Sequence, residues 1–255
     1  MIEIKIRYLG KCLLLEAFFG KETLERKMKT ERVLVIGDLH LGFEEMLNKS
    51  GVFVSRQMFD EMISDLNNVF GEVGRVDKVI LLGDVKHDFG GILKQEWSDV
   101  TKLLDYLKDF SDEIIVVKGN HDNILEPILK KRGIKLRNYY IFKEFCFLHG
   151  DRDFSEIWDK KIKYLVIGHG HPAVKLREKK GTKVEKYKCF LIGKFRGKEM
   201  IVLPSFIDYY AGSDPREGEV MLAWNVNFKN FYVKIVPVGP GELEALDFGK
   251  LKNLG

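Results

Sequence analysis

The sequence predicts an α/β fold, a four-layer α/β/β/α sandwich of two mixed sheets flanked by helices. Three observations lead there. Through the first half, short apolar runs rich in branched residues alternate with segments of helical spacing. In the second half strand patterns follow one another with little helix between them. No internal repeat or low-complexity linker divides the chain. That continuity implies a single domain over residues 1–238, with residues 239–255 as a peripheral tail of glycines, charges and only faint helical periodicity.

The elements follow in order. Met1–Arg7 alternates apolar and charged residues as a strand, and Cys12–Phe19 is a second strand ending at Gly20. After a charged connection, Val33–Ile36 is a short buried strand. Ser55 is placed to cap a helix whose apolar positions Met58, Met62, Ile63, Leu66, Val69 and Phe70 share one face. Val79–Leu82 is the next strand; Trp97, Val100, Leu103, Leu104, Leu107 and Phe110 mark another helix; Ile114–Val117 is a further strand. A helix is expected over 124–131, starting after Asp122 or Asn123 and stopped by Gly133. Strands are then expected at Tyr139–Leu148, Tyr164–Ile167, Cys189–Ile192, Met200–Leu203, Val220–Trp224 and Phe231–Val238, with a short helix between Phe154 and Ile162.

Composition narrows the function classes. With 45% hydrophobic and 31% charged residues the chain folds and is not disordered. No run approaches the roughly 18 apolar residues of a membrane span, and the N-terminus lacks the layout of a signal peptide. Three distant cysteines, with no Cys-x-x-Cys pair, argue against a disulfide framework or a thiolate zinc site, so a reducing cytoplasm is the expected setting. The net charge of +4 is mild but locally concentrated: Lys175, Arg177, Lys179, Lys180, Lys183, Lys186 and Lys188 stand against only Glu178 and Glu185. A solvated hairpin turning at Gly181 is the plainer reading, and contact with a phosphate backbone is the functional one.

The chemistry lies where the buried runs end. Val33–Ile36 leads into Gly37-Asp38-Leu39-His40, Val79–Leu82 into Gly83-Asp84, and Ile114–Val117 into Lys118-Gly119-Asn120-His121-Asp122. Phe145–Leu148 leads into His149-Gly150-Asp151, and Tyr164–Ile167 into Gly168-His169-Gly170-His171. Singly, each Asp is an ordinary turn residue and each His an ordinary polar one. Five such endings together mark a site at the C-terminal edge of the strands, where α/β sheets bind ligands. Imidazole, carboxylate and amide donors suit a borderline transition metal. Asp38, His40, Asp84, Asn120, His149, His169 and His171 are seven candidate ligands, more than one ion needs and enough for two that share a carboxylate.

These blocks resemble the calcineurin-like metallophosphoesterase superfamily, with its D-x-H, G-D, G-N-H, H and G-H-x-H motifs in that order across about residues 37–171. More narrowly, Gly37–Glu44, Gly83–His87 and Leu203-Pro204-Ser205-Phe206 are similar to the DNA ligase-associated branch. The resemblance implies one ion on Asp38, His40 and His171, another on Asn120, His149 and His169, and Asp84 bridging them. It implies two divalent transition metals, manganese first, with iron, zinc or nickel as alternatives. It gives His121 no ligand role and faces it toward the phosphate and its leaving group, beside Asn120, and it implies in-line attack by a water that the ions share. His87 is read as a support beside the ligands, and Asp88, Asp122 and Asp151 as carboxylates able to orient histidines. Arg56 and Arg152 are candidate phosphate contacts, each more simply a solvated residue.

The implied activity is phosphate-ester hydrolysis, with small or cyclic nucleotide diesters favoured. A repair nuclease, a phosphomonoesterase and a non-catalytic scaffold are the alternatives. The expected partners are a nucleotide-like substrate and, by resemblance, a DNA ligase or helicase, with no membrane and a homodimer through the later strands as an option.

Overall fold

The computed structural model describes residues 2–19, 29–90, 93–177, 183–218, 220–239 and 241–254. The chain opens with a hairpin of β1 (Ile2–Leu9) and β2 (Cys12–Phe19), in which Leu9 faces Cys12 across a two-residue turn at Gly10 and Lys11. Strand β3 (Lys29–Ile36) adds antiparallel to β2, and β4 (Val76–Leu82), β5 (Ser111–Val117) and β6 (Leu136–Arg137) continue in parallel. These six strands form sheet one in the order β1-β2-β3-β4-β5-β6. The helices α1 (Phe43–Lys49), α2 (Met58–Val73), α3 (Lys94–Phe110) and α4 (Glu126–Lys130) lie in its connections.

Sheet two is built from β7 (Tyr139–Phe142), β8 (Phe145–Leu148), β9 (Tyr164–Ile167), β10 (Ala173–Arg177), β11 (Val184–Phe195), β12 (Lys198–Val202), β13 (Tyr232–Ile235) and β14 (Leu246–Lys250). Its order is β14-β13-β11-β12-β9-β8-β7, with β10 paired to β11. Strand β9 runs parallel to both β8 and β12, and the remaining pairs are antiparallel, so both sheets are mixed.

Period-two alternation explains the layering. One face of sheet one presents Leu13, Leu15, Val33, Val35, Ile80, Leu82, Ile115 and Val117 to Phe145, Phe147, Val166, Phe190, Ile201 and Leu203 of sheet two, a dry seam between the sheets. The opposite face of sheet one packs Leu34, Ile36, Val79 and Leu81 against the apolar stripes of α2 and α3. The flanking layers are unequal, because sheet two is covered by short 3-10 turns and loops carrying Ile157, Trp158, Trp224, Phe228 and Phe231. Among the described residues no helix is long and apolar enough to cross a membrane.

Several local expectations are corrected. Ser55 does not cap α2; the buried Glu44 of α1 does, its Oε1 accepting from the backbone N–H groups of Gln57 (2.8 Å) and Met58 (2.9 Å). The helix expected over 124–131 is only α4, because the Asp122 carboxylate serves other N–H groups. Tyr139–Leu148 is two strands, folded at Lys143 and Glu144 with Lys143 in the left-handed region. Val220–Trp224 forms no strand; its apolar side chains press on the sheet-two core while Ala223 N–H reaches Gly150 O at 2.8 Å. The tail supplies β14, an edge strand in place of the faint helix. Of the basic segment, β10 and β11 pair as the hairpin expected, while Gly181 lies outside the described residues.

Lys188 of that segment turns inward. Its Nζ donates to Ser205 O (3.0 Å), Ser205 Oγ (2.6 Å) and Ile207 O (2.6 Å). Phe206 N–H in turn reaches the carbonyls of Gly37 (3.1 Å) and Asp38 (3.2 Å), so the Lys188 side chain ties β11 to the end of β3. Burial pushes the Lys188 amine down to about 7, with Asp208 opposing. The unfolded chain keeps this proton up to its ordinary value of 10.5, so between the two values the unfolded state binds more protons and stability from this group rises with pH. In urea melts, wild type should therefore gain stability relative to Lys188→Met as pH climbs from neutral toward 10; parallel pH profiles for the two proteins would contradict it.

Candidate metal centre

Parallel strands deliver their C-terminal ends to one rim: β3, β4 and β5 from sheet one, β8 and β9 from sheet two. The loops leaving them are held in an unusual backbone state. Asp38 (φ 50°), His40 (44°), Asp84 (48°), His169 (59°) and His171 (42°) all lie in the left-handed region, where side-chain-bearing residues are uncommon. The only other two among the described residues, Lys143 and Arg196, sit in hairpin turns. Five strained residues gathered on one rim make that rim the candidate site.

The side chains converge. His171 Nε2 lies 2.9 Å from Asp38 Oδ1, and His40 Nε2 lies 3.4 Å from His171 Nε2. On the other side His149 Nε2 faces Asn120 Oδ1 at 3.0 Å, His169 Nδ1 at 3.1 Å and Asp84 Oδ2 at 3.2 Å. Asp84 Oδ2 stands between the halves, 3.8 Å from His40 Nε2. In each of the trios Asp38–His40–His171 and Asp84–His149–His169, ligand atoms lie within 4.8 Å of one another, a spacing that could hold a metal ion. A third trio, His40–His87–His121, meets the same criterion.

The donor set fits cations. His149 Nδ1 lies 3.0 Å from the Leu82 carbonyl, so it must donate there, and Nε2 is left facing two oxygens and a nitrogen. Positive charge has to stand at that point. Burial of the ring opposes protonation of His149, but Asp84 and Asp38 outweigh it and raise the group to about 9. Burial likewise opposes ionisation of Asp38 and Asp84, and the neighbouring histidines, His171 for Asp38 and His149 for Asp84, hold both carboxyls below the ordinary range. Burial and neighbouring imidazoles push His40 down to about 3 and lower His169, leaving both neutral with lone pairs available. Ionised carboxylates with neutral imidazoles are the state a metal requires, and at His149 the metal would take the place of the Nε2 proton.

Around this set the support is specific. His87 Nδ1 lies 3.3 Å from His40 Nδ1, fixing the ring whose Nε2 faces the centre. The buried Asp122 orients backbone rather than a histidine: it accepts from Gly119 N (2.9 Å), Val85 N (3.0 Å) and Lys86 N (3.4 Å), locking the Asp84 loop to the Asn120 loop. Burial and the charge of Asp84 push its carboxyl up to about 6. His121 bonds the His87 carbonyl through Nδ1 and turns Nε2 toward Asp84 Oδ2, 3.8 Å away.

Other expected side chains stand apart. Asp88 accepts from Gly90 N at 2.7 Å, Asp151 pairs with Arg152 at 3.0 Å, and exposed Arg56 lies ahead of α2, where its charge acts on Asp99. The sequence reading missed Glu96. Fully buried, it accepts from His87 N (3.1 Å), Asp88 N (2.6 Å) and Leu93 N (2.8 Å), and so holds the loop that carries the His87 carbonyl. It sits three residues after Leu93, but with leucine at the cap position no capping-box signature announces it in the sequence.

A cavity of about 330 Å³ opens over the cluster, lined by His40, Asp84, His87, His121, His169 and His171 together with Phe43, Ile207, Tyr210 and Met221. A larger one of about 720 Å³ lies between α2 and β11, where Lys11 is already paired with Asp65 and Asp208. The convergent donors belong to the smaller.

Comparison with known proteins gives a family and a fold. A family model described as calcineurin-like phosphoesterase matches residues 31–235. The solved structure of nuclease MPE from Pseudomonas putida is similar at a TM-score of 0.59 and 15% identity, covering 96% of this chain and 100% of that one. Vps29 from Chaetomium thermophilum matches at 0.41 and 16% identity, over 86% and 94% of the chains. Yfce, a phosphoesterase from E. coli, matches at 0.37 and 16% identity, over 68% and 79%. No curated protein sequence matches significantly.

Close backbone approach is part of the centre. A Cβ at Gly119 would collide with the Asp84 backbone N and carboxylate, and one at Gly168 would come within 2.5 Å of Asp38 Oδ2. Gly119→Ala should displace Asp84 without removing any donor. Its metal content by mass spectrometry should fall below that of wild type while circular dichroism stays native; full metal loading would show that the loop has room to give.

Proposed function

The chain belongs to the calcineurin-like phosphoesterase family, and on that premise we propose that it is a dinuclear-metal hydrolase of phosphate esters, favouring small or cyclic nucleotide diesters. One observation carries the dinuclear reading. Asp84 Oδ2 lies within 3.8 Å of ligand nitrogens from both halves of the cluster, His40 on one side and His149 on the other. Asp38, His40 and His171 would hold one ion, and Asn120, His149 and His169 the other, with Asp84 shared. Nitrogen and oxygen donors without thiolate fit manganese, iron, zinc or nickel, and the family resemblance puts manganese first. The ions supply Lewis acidity at the phosphoryl oxygens and an activated water.

The chain's own groups do the rest. Asn120 has its amide oxygen turned to His149, which leaves its N–H₂ as a donor for phosphoryl oxygen. His121 commits Nδ1–H to the His87 carbonyl, so as imidazolium it offers Nε2–H to the leaving oxygen. His87 and Asp122 act through His40 and the backbone. With Asp38 and Asp84 both ionised at the centre, a phosphate would be repelled unless positive charge stands beside them.

The diester preference is supported by the similarity of Gly37–Glu44, Gly83–His87 and Leu203–Phe206 to the ligase-associated branch. The nuclease reading uses the same centre, and the similar Pseudomonas putida protein is a nuclease. A scaffold reading is disfavoured, since it predicts missing ligands and all seven positions carry theirs. Three buried free cysteines support a cytoplasmic setting.

Manganese titration of chelator-treated protein should reach two ions per chain, and hydrolysis of bis-p-nitrophenyl phosphate should exceed that of p-nitrophenyl phosphate at equal loading. A stoichiometry of one would sink the dinuclear reading, and a reversed preference the diester one. His121→Ala should keep both ions and lose about 10²–10⁴-fold in kcat on a diester with a poor leaving group. Loss of metal in that variant would instead make His121 a ligand.

A further inference from the structure

The cavity over the centre has an apolar, aromatic mouth that the hydrolytic chemistry does not use. Tyr210 and Met221 line it and are 44% and 74% exposed, and Phe89, 56% exposed, packs on the ring of His121, which also lines it. Single exposed apolar residues are ordinary, whereas a group of them at a binding cavity is not.

Their placement is ordered. Phe89 lies on the His121 ring, centroids 3.6 Å apart at 33°. Tyr210 meets the His171 ring at 5.1 Å and 77°. His121 and His171 each contact His40, at 4.9 Å and 5.2 Å. Phe89 and Tyr210 therefore stand at the two ends of a chain of ring contacts whose middle is His40, beside Asp84. A phosphate seated at that middle has one aromatic ring beyond its His121 side and another beyond its His171 side. Among the described residues, none lining the cavity is a lysine or arginine. A site that tracks a long polyanion needs such charges along its groove.

We propose that Phe89 and Tyr210 are stacking platforms for two unpaired bases, one on each ester oxygen of the scissile phosphate, so that the preferred substrate is a short dinucleotide-like diester. This rests on the phosphoesterase reading above and deepens it. A monoester carries one organic group and leaves one platform idle; a diester has two groups to place. Stacking reads the face of a base, and a base in a duplex has both faces covered by its neighbours, so the platforms select unpaired nucleotides. Phe89, on the side of His121, takes the base of the leaving nucleoside, and Tyr210 takes the other.

The test uses manganese-loaded full-length protein and three substrates: thymidylyl-thymidine and its two analogues with an abasic sugar on one side or the other. Leaving-group chemistry is nearly constant across the set. Wild type should lose about tenfold in kcat/KM for each missing base. Phe89→Leu should erase the penalty for the leaving-side base, and Tyr210→Leu that for the opposite base. Both are exposed positions where leucine keeps the bulk and removes the ring. Equal rates on all three substrates, or variants that discriminate as wild type does, would overturn the platforms while leaving the hydrolase intact, provided bis-p-nitrophenyl phosphate is still cleaved. Cleavage of that probe without cleavage of thymidylyl-thymidine overturns the inference too. If loaded wild type cleaves neither, the hydrolase reading falls and the platforms with it.

Discussion

Two ionised carboxylates held out of water govern this molecule. Asp38 and Asp84 are 0% and 1% exposed, at the mouth of a dry seam between two sheets. An unpaired buried charge is costly, so something positive has to meet them. Protonated His149 does so at contact distance with Asp84, His171 Nε2 lies against Asp38, and His40 and His169 are left neutral around the same point. The arrangement is poorly satisfied by protons and well satisfied by cations, which is why the centre reads as a metal site from its electrostatics and not only from its motifs.

The rest of the fold keeps those two groups where solvent cannot relax them. Parallel pairing of β3, β4 and β5, and of β8 with β9, brings loop starts into register. Glycine at 119 and 168 lets backbone come up against the carboxylates, Asp122 locks two loops of sheet one together, and Lys188 anchors the bend after β12 to the end of β3. Five left-handed residues at this rim are tolerated because so many contacts determine them.

Much of this was legible in the residues. The buried runs Val33–Ile36, Val79–Leu82, Ile114–Val117 and Tyr164–Ile167 are strands, and the polar residues following each of them meet at one place. Legibility failed where a side chain works at long range. Glu44 caps a helix from another helix, so Ser55 looked like the cap by local rule. Asp122 looked like a helix start because its partners, Val85 and Lys86, are far off in sequence. Val220–Trp224 is a short apolar run that resembles a buried strand, but Val220, Leu222 and Trp224 cover the core of sheet two without a pairing neighbour. The turn at Lys143 carries no glycine or asparagine to announce it. Arg56, a candidate by charge alone, stays outside the cluster. In each case periodicity and local chemistry were read correctly and tertiary contacts decided otherwise.

The backbone N–H of His169 bonds Asp38 Oδ1 across 131 residues, at 3.0 Å. Nothing synthesised before β9 can complete the pocket, so a nascent chain emerging from the ribosome carries half a site through most of translation. Non-local closure of this kind is slow relative to helix formation. A truncated translation product that ends before β9 therefore lacks His169 and His171, two of the donors that complete the cluster.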